Sequence, residues 1–236
     1  MKKKPNEFEV HKFIREYGKA IIAIIFIISF VMVGCSKKEE LQETLIEDER
    51  HKVITITSES SSSTQLNDLQ KDFYPEINQL MKRYFQARLA LDMETLKQIV
   101  NPIEGISKEQ LDYEINGIAG VDDFRKIEDF LNIACYTKQG LLADTYVVWV
   151  YYEIKFVNAQ TPAPALNKMY VCTDDTGVYI YNGTIEGEIS NYLDEVSHEP
   201  DVVALVEEVN EKLETAISQD EELRGIFEKL GVEDKE

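Results

Sequence analysis

Any chemistry in this chain would have to be built from three histidines, three cysteines and the tyrosines of its strand-like segments. His11 precedes an uncharged apolar run, His51 lies in a polar stretch, and His198 separates two helical patterns. None falls on a predicted strand, so no imidazole is placed to act as a general base facing a pocket. No Cys-x-x-Cys or His-Glu-x-x-His spacing occurs, and neither a metal nor another cofactor is expected. Asp174 and Asp175, between Thr173 and Thr176-Gly177, lack the length and spacing of a calcium loop. They predict a hairpin turn closing on Gly177. The acidic residues Glu207, Glu208, Glu211, Glu214, Asp220, Glu221 and Glu222 have the pattern of a solvated helix face. No catalytic residue is assigned, and the chain is expected not to be an enzyme.

Charge narrows the partners. The whole chain has 25 Lys+Arg against 44 Asp+Glu. Lys2, Lys3, Lys4, Lys12, Arg15 and Lys19, with Glu7, Glu9 and Glu16, all precede residue 20. The remainder therefore holds 19 basic and 41 acidic residues, a net charge of −22. Such a surface repels phosphate backbones, which argues against nucleic acid as a partner.

That basic start is followed by residues 20–34, which carry no charge. A basic segment before an apolar one is the order of an export signal. The positive end stays in the cytoplasm, so everything after Cys35 is expected outside the cell membrane. Val31-Met32-Val33-Gly34-Cys35 resembles the bacterial lipobox, which implies cleavage before Cys35 and acyl chains on that thiol. The alternative is an uncleaved anchor helix. The uncharged run from Ala20 to Ser36 would span ~25 Å at ~1.5 Å per residue, short of a hydrocarbon core of ~30 Å unless its flanks snorkel. Residues 36–65 are polar and end in a serine run, the composition of a flexible linker, with a short strand at Val53–Thr57 as the other reading.

The elements that would position a site begin at Leu66 with helical signals. Pro75 suits a first helical position, and Ile77, Leu80, Met81, Tyr84 and Leu91 recur at helical steps. Asp92 caps a second helix that ends before Pro102, and Ser107 with Gln110 forms a capping box for a third. A short helix or turn covers 121–132. Strands follow at 132–139, 144–158, 167–173 and 178–182, with 159–166 read as a loop because prolines do not suit a central strand. On the long strand the even positions 146 to 156 are all apolar or aromatic and meet the core. The odd residues Val147, Trp149 and Tyr151 need cover, which the C-terminal helices could supply. Those helices carry stripes at Val202, Leu205, Val206, Val209, Leu213 and Ile217, and at Leu223, Ile226, Phe227 and Leu230. Cys135 and Cys172 fall on the first and third strands, two spacings of ~4.8 Å apart and beyond the ~7 Å limit for bridging, so both are expected buried and reduced.

Residues 77–102 and 136–156, with Thr161–Asn182, resemble the nuclear-transport-factor-2-like fold as it occurs in membrane-anchored lipoproteins of Firmicutes whose role is not established. The resemblance implies an α+β domain over residues 66–183, its N-terminal helices packed on a curved antiparallel meander around a cone-shaped pocket, with 184–236 as a helical extension. Catalytic members place Asp, His or Tyr in that pocket. Here the polar atoms of the core-facing stripe are the hydroxyls of Tyr146 and Tyr152. A ligand would meet Tyr84, Arg88, Tyr146 and Tyr152, with Arg88 either the anion contact or, the favoured reading, one half of a helix-surface salt bridge. Three functions follow: an anchored non-catalytic module that binds a small ligand or a surface protein, an interaction scaffold using Val147, Trp149 and Tyr151, and an isomerase- or dehydratase-type pocket enzyme.

Overall fold

The computed structural model describes residues 68–233. The expected anchor with Cys35, the expected linker, His11 and His51 lie outside them. The described chain is α+β, with helices on a six-stranded mixed sheet. Its strands are β1 (Gln70–Lys71), β2 (Val100–Asn101), β3 (Ile127–Gln139), β4 (Thr145–Phe156), β5 (Ala163–Asp174) and β6 (Gly177–Tyr181), in the order β1-β3-β4-β5-β6-β2. All neighbours are antiparallel except β2 and β6.

The N-terminal helices follow their local signals. Helix α1 (Pro75–Leu89) begins with proline, whose missing N–H is unneeded in a first turn. Its Ile77, Leu80, Met81 and Phe85 are buried against the sheet. Asp92 Oδ1 accepts from the amides of Glu94 and Thr95, both at 3.1 Å, and starts α2 (Met93–Ile99). Ser107 Oγ accepts from Gln110 N at 3.1 Å and starts α3 (Lys108–Asn116). The chain departs from expectation on either side of these helices. Gln70 and Lys71 are not helical but pair with Thr137 and Tyr136 of β3. Val100 and Asn101 form a strand beside β6.

The meander also departs in two places. β3 begins at Ile127, and only a 3-10 turn at Asp123–Arg125 precedes it. Its alternation is broken by a bulge between Leu131 and Ala134, where Asn132 has φ 53°. The extra residue lets even-numbered Phe130 and odd-numbered Cys135 face the same core. β5 begins at Ala163 and includes Pro164, opposite Glu153. Residues 163–169 of β5 have β4 as a neighbour but no β6, and an edge accommodates proline.

Both sheet faces are covered. Helix α1 and the even face of β4, with Val148, Val150, Tyr152, Ile154 and Phe156, form the main core. On the other face Val147 is 0 % and Trp149 3 % exposed. They lie beneath α4 (Gly187–Ser197) and the first half of α5 (Pro200–Gln219), through Val196, Val202, Leu205 and Val209. The second half of α5 puts Leu213, Ala216 and Ile217 into the main core, joined by Leu223, Ile226 and Phe227 of α6 (Glu221–Glu233). The C-terminal helices thus belong to both cores.

Two polar nodes fasten them. Lys138 Nζ reaches Glu199 Oε2 at 2.6 Å and Asp201 Oδ2 at 2.7 Å, tying β3 to the start of α5. Burial works against the Lys138 charge, but the two carboxylates outweigh it and its pKa is raised. Asp220 Oδ1 caps α6 through Glu222 N and Leu223 N, while Oδ2 holds Gln160 N and Thr161 N at 2.7 Å each. One carboxylate therefore fixes both the last helix and the loop joining β4 to β5. Among the described residues no helix is long and apolar enough to cross a membrane.

Candidate functional site

The sheet has a break, and the break makes a cleft. Asp174 and Gly177 close a two-residue hairpin, held by Asp174 Oδ1 accepting from Thr176 N at 2.7 Å. The turn is the one expected from sequence. From there the β5–β6 ladder runs to Tyr170↔Tyr181 and stops. Asn182 turns away from β5. Its backbone N donates to Asn101 O at 3.0 Å, and its Nδ2 donates to the carbonyls of Pro102 and Glu104, both at 3.1 Å. Gly183 permits the turn, since a Cβ there would collide with the Tyr181 hydroxyl.

A cavity of about 240 Å³ opens where β6 departs. Tyr84 and Arg88 of α1, Gln110 and Glu114 of α3, Asn167 to Tyr170 of β5, Ile185 just before α4 and Leu193 within it line the cavity. Its walls come from both sides of the sheet. Asn167 and Met169 share with Val171 the β5 face toward the main core, while Tyr170 belongs to the second cluster.

The polar floor is an ion pair. Arg88 Nη2 lies 2.8 Å from Glu114 Oε2, with side-chain exposures of 7 % and 20 %. Gln110 Nε2 donates to the other Glu114 oxygen at 3.3 Å. The guanidinium carbon lies 5.5 Å from the centre of the Tyr84 ring and 6.0 Å from that of Phe130. Burial disfavours the Arg88 charge, but the oxygens of Tyr84, Glu114 and Tyr152 more than compensate and raise its pKa. The Tyr152 phenol is pushed up to about 12 by burial, against the pull of Arg88 and a hydrogen bond with Asn167. Both groups therefore keep their protons at neutral pH. At the rim, Lys168 Nζ donates to Ser197 Oγ at 3.0 Å, and burial lowers its pKa.

Of the four ligand contacts expected from sequence, Tyr84 and Arg88 line the cavity. Tyr152 stands behind it, its ring centre 4.5 Å from that of Phe85 and its hydroxyl on Asn167. Tyr146 is not brought to it; its ring packs 4.9 Å from that of Tyr74. Sequence reasoning missed Glu114, Gln110, Asn167 and Asn182. Glu114 lies one turn after buried Leu111 and beside buried Ile115, a carboxylate at the border of an apolar stripe, and that was the readable signal. Asn182 gave none, because its role depends on the distant loop at 101–104.

The remaining candidates lie elsewhere. His198 follows the last residue of α4 with Nδ1 2.7 Å from Asp194 O, and is not part of the cavity lining. Cys135 and Cys172 are both free, as expected, but Cys135 is buried in the main core while Cys172 is half-buried at the second cluster. They are separated by opposite faces of the sheet as well as by β4. Burial pushes the Cys135 thiol up to about 12, so it is a poor nucleophile. Among the described residues no group of three or more His, Cys, Asp or Glu is placed to hold a metal ion. The chain matches no protein-family model, no curated protein and no solved structure, so the function of this cleft has to be read from its own chemistry.

Proposed function

We propose that this protein is a non-catalytic binding module, held outside the cell membrane by acyl chains on Cys35 or by an anchor helix at 20–36, with the cleft beside Arg88 as its ligand site. The observation that carries the reading is the combination of an open cavity with an ion pair at its floor, buried Arg88 with half-buried Glu114. Apolar walls with a few convergent polar groups are the general composition of ligand pockets. Arg88 and Tyr152 hold their protons too firmly for acid–base exchange near neutrality, which favours binding over catalysis. We read the domain as a cone of the nuclear-transport-factor-2-like kind. Three helices precede the long-stranded meander, and the bulge at Asn132 bends β3. The scaffold alternative is less favoured, because Val147 and Trp149 lie under α4 and α5.

Mass spectrometry of protein purified from its own host tests the reading. The wild-type chain should carry a bound small molecule or segment that Gln110→Trp, which fills the cavity from α3, does not retain. A cavity empty in both, or a ligand retained equally by both, would overturn it.

A further inference from the structure

Among the described residues, β5 pairs with β6 only from Tyr170 onward, so the cleft borders a run of sheet with no second strand beside it. In an antiparallel ladder, successive residues direct their backbone N–H and C=O to opposite neighbours. Thr173 N donates to Asp144 O of the chain leading into β4 at 2.9 Å, so residues 173, 171, 169 and 167 face β4. Residues 170, 172 and 174 face β6, in register with Tyr181, Tyr179 and Gly177. The same alternation turns the backbone groups of Lys168 and Leu166 toward the place that β6 leaves empty. Pro164, next in that series, has no N–H to leave unpaired.

We infer that the ligand of this site is an extended peptide, added as a short strand to β5 at Leu166 and Lys168; the inference rests on the cleft being the ligand site. Three observations support a peptide over another small molecule. Lys168 offers one outward N–H and one outward C=O, and Leu166 offers the same pair two residues away, the repeat of a β-strand. An added strand sends alternate side chains to opposite sheet faces, and this cavity opens on both: toward Arg88 and Glu114 on one side, toward Ile185 and Leu193 on the other. The Arg88–Glu114 pair is already neutralised internally, which suits an uncharged polar side chain or amide more than a free anion.

The test is hydrogen–deuterium exchange, at single-residue resolution, on the full chain in detergent. The probes are acetyl-Thr-Val-Thr-Val-Thr-amide and its fully N-methylated form, which keeps the side chains but cannot pair as a strand. Without peptide, the Leu166 and Lys168 amides should exchange much faster than those of Asn167 and Met169. The parent peptide should slow Leu166 and Lys168 by about tenfold or more at saturation, and the N-methylated form should not. Equal slowing by both peptides would overturn strand addition while leaving the cleft as a binding site. No slowing by either, or amides already protected in the free chain, would overturn the peptide inference. Only the host-ligand experiment bears on the cleft itself, so the two failures are distinguishable.

Discussion

Arg88 and Glu114 hold each other at 2.8 Å across the space between α1 and α3, and Glu114 is the more exposed of the two, at 20 % against 7 %. The pair is therefore asymmetric. Glu114→Ala strands a buried guanidinium and should cost about 3 kcal/mol. Arg88→Met leaves a carboxylate that can turn to water and should cost less, under about 2 kcal/mol. Urea titrations of both variants check this, and equal costs would mean that Arg88 also reaches solvent.

Asp220 links stability to acid. Burial raises its pKa, but the amides of Thr161, Leu223, Gln160 and Glu222 outweigh burial and lower it. A carboxyl lowered in the folded state contributes stability above its unfolded pKa of ~3.9, and that contribution is lost as pH falls through the lower folded value. Asp220→Ala removes all four acceptor contacts and should cost about 3 kcal/mol at pH 7. The difference between wild type and Asp220→Ala should shrink between pH 5 and pH 2. A constant difference across that range would contradict the assigned role.

Trp149 reports on α5. It is 3 % exposed and shares a cluster with Leu205 and Val209. Val209→Asp places a charge in that contact and should cost about 3 kcal/mol or more. The emission of this single tryptophan should shift to the red, and the freed face should promote self-association. Unchanged emission in a folded variant would show that α5 does not cover Trp149.

Proline substitutions test the alternation along β5. Lys168→Pro removes an N–H that faces the cleft and should cost under about 1.5 kcal/mol. Met169→Pro removes one bonded to β4 and should cost about 3 kcal/mol or more. Thermal melting of the two variants decides it, and the reverse order would place the free edge on the wrong residues.

The parts of this fold that were legible in the sequence rest on short-range physics. Pro75, Asp92 and Ser107 act on backbone groups within a turn of themselves, and each marks the helix it was expected to mark. β4 was legible because its even face is apolar throughout, and the stripes of α5 and α6 were legible for the same reason. The start of β3 was not, because the extra residue at Asn132 shifts the alternation midway. Pro164 misled because a proline is excluded from a central strand but not from an edge, and the edge exists only because β6 stops at Tyr181. Gln70 and Lys71 carry no strand signal of their own; β3 offers them its unpaired side. At the site, Tyr84 and Arg88 were readable from the helical face that carries them. Glu114, Asn167 and Asn182 arrive from three separate elements, and their meeting is a product of the tertiary fold.

The central claim is that the cleft beside Arg88 holds a ligand. Its most direct test is the melting temperature of protein taken from its own host, measured before and after unfolding and refolding to strip whatever is bound. A ligand that binds only the folded state raises stability by about 2.7 kcal/mol at a hundred times its Kd. The account predicts that the wild-type chain melts several degrees lower after stripping, and that Gln110→Trp melts at the same temperature before and after. Identical melting of wild type before and after stripping, or an equal drop in Gln110→Trp, would contradict it.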